Sequence, residues 1–523
     1  MDDATPAAEG PLRQVQGTVL RPPVPDPVEA PAGTPVPPVE AQVSRPGREA
    51  VVQPARTDAF AALMVERLGG PLGRYAERVR DWWSPARVLL VVATLTYLAG
   101  MVFRVPCRIT VAGQAPDAFK KLCYSDIGLL YADRGLLQGH VPYLDSGAYP
   151  VLEYPVLTGW FLELGRRITG WLGAPSGTGL SAQQAVDATL TFVDVNQVLL
   201  GALFLVAVWA QVKTVAGRPW DAMMLAAAPT VAAASLVNWD LLPVALTAAG
   251  VLAWSRRRPG LAGVLLGLGM AAKLYPALLL GPLLLLCLRS GRMRAYGRLL
   301  AGFVVSWLVV NLPVLVLAPD AWLDFWTFNA DRSGDFGSIW YVFALAGHGV
   351  PHLNAVSAGL FALACVLIGA LILAAPRRPR FGAVAFLVVA AFLMTNKVYS
   401  PQYVLWLLPF VVLARPRWRD WWVFTVGELV YFVAIWWHLG GELSPGGGGA
   451  DRVYWCAVVL RLCTQGWVVV MVVRDVLRPD RDPVRSPSTG SGGEVDDPTG
   501  GVLDGTPDMT WRTRFFTPNE LRT

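Results

Sequence analysis

Two kinds of side chain in this sequence could do chemistry together: carboxylates able to take a proton, and isolated cations able to hold a developing negative charge. The carboxylates gather between Ser125 and Trp160, in SDIGLLYADRGLLQGHVPYLDSGAYPVLEYPVLTGW, an acidic, Tyr/Pro-rich stretch in an otherwise apolar chain. Asp126, Asp133, Asp145 and Glu153 lie there with His140, Tyr143 and Tyr154. The chain has five lysines, and two of them, Lys273 in GLGMAAKLYP and Lys397 in NKVYSPQ, interrupt apolar sequence. A cation in such a setting is costly unless water or an anion meets it. Asn238-Trp239-Asp240, Tyr275, Arg332, His348 and Gln402 add polar groups at similar breaks.

These residues must be positioned by membrane helices. The chain has 523 residues, 54% hydrophobic, with a mean hydropathy of +0.44, and its apolar runs approach the ~20 residues that cross a hydrocarbon core. The expected fold class is therefore an all-α polytopic membrane protein of about twelve helices. The expected spans are 86–104, 187–212, 220–237, 240–255, 260–272, 275–288, 299–317, 353–375, 381–395, 401–414, 421–438 and 454–473. The segment 152–172 mixes Glu153, Glu163, Arg166 and Arg167 with Trp160, Phe161, Leu164 and Trp171, the pattern of an amphipathic helix in the interface. Residues 105–186 then form a first outer loop with interfacial helices.

Arginine placement sets the expected orientation. Clusters at 74–87, Lys213/Arg218, 256–258, 289–298, 377–380, 415–419 and 474–478 are expected on the cytoplasmic side by the positive-inside rule. Both termini then lie in the cytoplasm of a multi-pass plasma-membrane protein, and all four histidines and the groups named above face outward. The segment 260–288 becomes a hairpin turning at Lys273-Leu-Tyr-Pro276, where proline ends the first helix. Residues 71–85 read as a basic juxtamembrane segment and 86–474 as the membrane domain. The tails, 1–70 and 475–523, are rich in Pro, Gly, Ser and Asp, a composition expected to be disordered. The N-terminus has no signal-peptide pattern, so 86–104 is expected to act as a retained signal-anchor.

Composition also excludes classes. The net charge of +6 is spent on helix-flanking arginines, which contact anionic membrane lipid, and no basic stripe with interleaved aromatics points to nucleic acid. The six cysteines make no C-x-x-C spacing; Cys107 and Cys123, both in the outer loop, could be bridged or free. No histidine is placed beside a helical Asn, Asp or Glu as a membrane acyltransferase would need. A multi-pass transporter or flippase shares the helix count and remains the alternative, although no inverted repeat is evident.

The motifs SDIGLLY, G-x-x-PY at Gly139–Tyr143, EYP at Glu153–Pro155, GLGMAAKLYP at Gly267–Pro276 and NKVYSPQYVLWLLP at Asn396–Pro409, in this order, resemble the GT-C-fold glycosyltransferases that use polyprenyl-phosphate sugars. The resemblance is to glycosyltransferase family 87, with its actinobacterial α-mannosyltransferases and arabinofuranosyltransferases, and it covers residues 86–474. It implies a polyprenyl-phosphate sugar donor, an envelope glycan or glycolipid acceptor and an extracytoplasmic site. It places Asp126 at the catalytic aspartate; His348, from its place after the SIWYVF segment, is a further candidate to assist proton transfer. It assigns Lys273, with Tyr275, Arg332, Lys397 and Gln402, to the donor phosphate or sugar. Tyr143, Glu153, Tyr154 and Asp240 are expected to meet the acceptor or position the loop. Where many members carry YPP this chain has Tyr154-Pro155-Val156, which leaves the acceptor side open. No cofactor is implied, and the sequence does not decide whether a divalent metal takes part. Plainer roles stand beside these: Asp126 and Asp240 as helix caps, Lys273 as a snorkelling cation.

Overall fold

The computed structural model describes residues 83–108, 117–145, 147, 149–215, 217–445, 450–485 and 496–509. The N-terminal tail and most of the basic segment before the first span fall outside these residues. Among those described, secondary structure is entirely helical: six helices are long and apolar enough to cross a membrane, and five shorter apolar helices accompany them.

Helix α1 (Pro85–Arg104) starts at Ser84, whose hydroxyl accepts from Arg87 N at 3.4 Å, and carries proline in its first turn, where the missing N–H costs nothing. The first loop follows with the Cys107–Cys123 disulfide formed, then α2 (Asp126–Asp133) and α3 (Val156–Trp171). Helix α3 buries a face of small residues with Leu162 and Glu163 and leaves Leu164 and Trp171 exposed, the expected amphipathic pattern, packed on the long helix α4 (Ala182–Thr214).

The expected span at 220–237 is not one helix. After a 3₁₀ turn at Pro219–Ala222 come two short pieces, α5 (Met223–Ala226) and α6 (Pro229–Ala234), broken before Pro229. Proline removes a donor and disfavours helix at the preceding residue. The freed backbone groups are met by protein: Trp421 Nε1 donates to Met224 O at 2.9 Å, Arg104 Nη2 to Ala233 O at 2.6 Å, and the Ser125 hydroxyl to Leu236 O at 2.7 Å. Irregular backbone at membrane depth persists only where protein encloses it in this way.

Helices α7 (Leu241–Ser255) and α8 (Pro259–Ala272) pack together, and the chain turns at Lys273 into the 3₁₀ turn Tyr275–Leu279 and α9 (Leu280–Arg289). Helix α8 meets α10 (Met293–Leu317) through Gly263 and Gly267, where a Cβ would collide with the backbone of Leu299 and Phe303, the small-xxx-small solution to close helix approach. Next come α11 (Pro319–Asp331), the short α12 (Ile339–Leu345), α13 (Leu353–Ala374), α14 (Phe381–Thr395), α15 (Val404–Ala414), α16 (Trp418–Leu439) and α17 (Arg452–Leu477).

Arginines collect at one end of this bundle. Helices α7, α8, α14 and α15 each run between an arginine at that end and one of Asp240, Lys273, Asn396 or Pro401 at the other. The arginine end is also where the chain departs from the expected disorder beyond residue 474. Helix α17 continues to Leu477, and residues 479–485 and 496–509 pack against the bundle. Arg380 Nε and Nη2 reach Asp482 at 2.6 and 2.9 Å, Arg378 Nη2 reaches Asp496 at 2.6 Å, and Arg289 Nε reaches Asp508 at 2.5 Å. Asp497 accepts from Phe381 N, at the start of α14. Composition alone reads this segment as too polar to fold, but guanidinium forks buried under helix ends supply its aspartates with partners.

Candidate active site

At the opposite end a cavity of about 610 Å³ opens between the first loop and the turns of the bundle. Its wall includes Tyr124, Asp126, Glu153, Tyr154, Asn238 and Lys273, with Gln402 and Trp406 from the far side.

Asp126 enters it through a capping arrangement in which Ser125, not Asp126, is the N-cap. The Ser125 hydroxyl accepts from Ile127 N at 3.3 Å, so the carboxylate one residue later is free to face the cavity in the first turn of α2, where the helix dipole favours negative charge. Tyr154 donates its hydroxyl to Asp126 Oδ2 at 3.4 Å, and Tyr124 is a second hydroxyl partner. Burial pushes the Asp126 carboxyl up to about 6, against the hydrogen bond from Tyr124 and the nearby Lys273 charge, which act to lower it. A carboxylate tuned in this direction is a better proton acceptor at neutral pH than an ordinary aspartate.

Lys273 caps the end of α8 in extended conformation, with its side chain 14% exposed. Its Nζ lies 3.5 Å from Asp240 Oδ1 and 4.5 Å from the ring centre of Tyr154, with Tyr403 and Trp406 at 5.9 and 5.8 Å. Asp240 itself makes no capping bond to α7. Its Oδ1 instead accepts from Trp406 Nε1 at 3.1 Å. Asn238 ties these together: its Oδ1 accepts from Asp240 N at 3.1 Å and its Nδ2 donates to the Tyr154 hydroxyl at 3.3 Å.

The other expected residues divide. Gln402 lines the cavity with Oε1 buried and unpartnered. Arg332 lines it with its guanidinium held by Asp335 at 2.7 Å. Lys397 lines it as well, but its ammonium is turned to the end of α11, donating to the carbonyls of Asn329, Ala330 and Arg332 at 3.0, 3.2 and 2.7 Å. The Lys397 side chain thus caps the C-terminal carbonyls of α11, its ammonium donating to three of them. Tyr275, 1% exposed, stacks on Trp406 with ring centres 4.8 Å apart and forms part of the cavity wall. Glu153 is held in a two-pronged pair by Arg134 at 3.0 and 2.9 Å. Tyr143 lies outside the cavity wall; its buried hydroxyl donates to the carbonyls of Tyr154 and Pro155 at 2.9 and 3.1 Å, latching the EYP turn. His348 is exposed in the turn after α12 and is not part of the cavity wall, so this geometry does not bring it to Asp126.

Sequence reasoning missed Tyr124, Arg134 and Trp406. Tyr124 adjoins the singled-out Ser125-Asp126 and was the nearest to visible; Trp406 reads as one more apolar residue of α15. A network behind the wall was also missed. Tyr399 donates to Glu428 at 2.8 Å, Gln465 Nε2 to Glu428 at 2.6 Å, and Arg461 Nη2 to Gly337 O at 2.8 Å, bracing the loop that carries Lys397 and Gln402. Among the described residues no group of three or more His, Cys, Asp or Glu side chains is arranged to hold a metal ion.

Residues 185–396 match the sequence profile of glycosyltransferase family 87. The family 87 segment contains Asn238, Asp240, Lys273 and Arg332, while Asp126 and Gln402 lie outside it on either side. Among solved structures, ArnT from Cupriavidus metallidurans bound to undecaprenyl phosphate is similar over 75% of this chain and 77% of its own, at 16% identity and a TM-score of 0.39. No curated protein matches the chain.

Proposed function

We propose that this chain is a membrane glycosyltransferase of the GT-C type that moves a sugar, mannose or arabinofuranose, from a polyprenyl-phosphate donor to an envelope glycan or glycolipid outside the cytoplasm. The family 87 profile supports a glycosyltransferase. One observation carries the reading further: Asp126 and Lys273, 147 positions apart in the sequence, face the same cavity and are linked through Tyr154.

In the proposed reaction the Asp126 carboxylate removes the proton from an acceptor hydroxyl as its oxygen attacks the anomeric carbon. The bond from that carbon to the phosphate oxygen breaks, and the polyprenyl phosphate leaves with the electron pair. No acid is needed at the leaving group, because the ammonium of Lys273 meets the growing charge; Gln402 contributes to the sugar or phosphate subsite. Sidedness follows from the positive-inside rule: with the arginine end in the cytoplasm, the cavity faces out, and the bridged Cys107 and Cys123 suit an oxidising compartment.

The test is transfer from a panel of radiolabelled polyprenyl-phosphate sugars to endogenous acceptors in membranes containing the full-length protein. Protein-dependent incorporation from one of them, lost in Asp126→Asn, is expected. No incorporation from any donor, with the protein inserted and folded, contradicts the proposal.

A further inference from the structure

Asp240 is 0% exposed. It occupies the cap position of α7 without capping it, Oδ1 takes the indole of Trp406 at 3.1 Å, and Oδ2 has no hydrogen-bond partner. A carboxylate removed from water with one oxygen unmatched is costly unless a charge compensates it. The compensating charge is Lys273, at 3.5 Å. That separation is longer than the ~2.7–2.9 Å of a tight charge-assisted bond. An ammonium has three donors, and the aromatic rings around Lys273 take none of them as a fixed acceptor would. The cation is therefore steered but not consumed, unlike Lys397, whose ammonium donates to three backbone carbonyls, and Arg332, whose Nε and Nη2 are taken by Asp335.

The same short segment also fixes the base. Asp126 N donates to Val237 O at 2.8 Å, Ser125 Oγ to Leu236 O at 2.7 Å, and Asn238 Nδ2 to the Tyr154 hydroxyl at 3.3 Å. Residues 236–240 thus hold Asp126, Tyr154 and Lys273 in one frame. We propose that Asp240 is a positioning residue that aims the Lys273 ammonium at the donor phosphate and couples that cation electrically to the base Asp126, acting without touching substrate. This inference rests on the transferase reading above. The groups facing Asp126 are Tyr124 beside it, Tyr154 before α3, Lys273 after α8, Asp240 at the start of α7 and Arg104 at the end of α1. Of these, Asp240 is the carboxylate, and its charge opposes ionisation of Asp126.

The experiment compares full-length wild type, Asp240→Asn, Lys273→Ala and the double variant in detergent, measuring donor KM, kcat and the pH profile of kcat/KM. Asp240→Asn is expected to raise donor KM on the order of tenfold with a smaller change in kcat. It should also move the acid limb to lower pH, as the like charge beside Asp126 is removed. In the Lys273→Ala background the KM effect of Asp240→Asn should vanish, because contacting residues acting through one another are not additive. Full additivity, or an unmoved acid limb, overturns the proposal, since a merely structural role predicts both. Where Asp240→Asn does not fold, Asp240→Glu retains the charge and displaces it: an altered donor KM on an unshifted acid limb is expected, and an unaltered KM overturns the proposal. A turnover-independent arm separates the two levels of inference. Undecaprenyl phosphate should raise the melting temperature of wild type more than undecaprenol does, and Asp240→Asn should shrink that difference. A wild type that binds the phosphate without transferring sugar defeats the transferase reading while this arm still judges Asp240, and an undiminished difference in the variant overturns the proposal.

Discussion

The backbone N–H of Asp126 donates to the carbonyl of Val237 at 2.8 Å, so the proposed base is fastened to the segment that ends in Asp240. Asp126 and Lys273 come from opposite sides of that segment, and their relative placement depends on its conformation more than on either helix alone.

Asp126→Asn should lower kcat by about 10²–10⁴-fold, the usual contribution of a positioned base, with little effect on melting temperature. Burial lifts the wild-type carboxyl to about 6. A protonated acid cannot accept the acceptor's proton, so the rate should be sustained above that value and fall as pH drops through it. An acid limb at the ordinary aspartate value, measured by initial rates against pH, contradicts the assignment.

Tyr154→Phe keeps the ring that faces Lys273 and removes the hydroxyl shared by Asp126 and Asn238. The loss should be about 1 kcal/mol of orientation, read as a several-fold fall in kcat with donor KM nearly constant. A large KM change with unaltered kcat would place Tyr154 on the donor instead.

Lys397→Met should reduce thermal stability by roughly 1 kcal/mol, since a partly exposed cap is weakened by solvent screening, and leave donor KM where it was. Its three carbonyl partners on α11 give this expectation. A rise in donor KM without destabilisation would return Lys397 to the phosphate.

Asp482→Ala leaves Arg380 buried without its direct ion-pair partner; the two side chains are 6% and 1% exposed. Removing one partner of such a pair costs roughly 3–5 kcal/mol. The variant should melt at clearly lower temperature while transferring sugar with wild-type KM at permissive temperature. Unchanged melting would mean that the C-terminal segment does not grip the bundle as described.

The all-helical membrane fold was legible because apolar run length is a direct consequence of bilayer thickness, although six of the expected dozen segments form helices long enough to cross on their own; the turn at Lys273 was legible because proline at 276 cannot continue a helix. The broken crossing at 219–240 was hidden: its alanines and leucines suit a continuous helix equally well, and Pro229 was the one sign against it. Asp126 and Lys273 stood out as charges in apolar surroundings. Which cation is available could not be read, because Lys273 and Lys397 look alike until the end of α11 is found beside the second. The C-terminal aspartates at 482, 496 and 508 were unreadable for a related reason: their value depends on arginines up to about two hundred positions away.

The interrupted crossing between Arg218 and Asp240 has a further implication for biogenesis. Its exposed peptide groups are completed partly by Trp421, in a helix synthesised much later, and a lone broken segment has no stable place in lipid. The carbonyl of Met224 therefore gains its indole partner only after α16 has been synthesised, so this stretch completes its hydrogen bonding late.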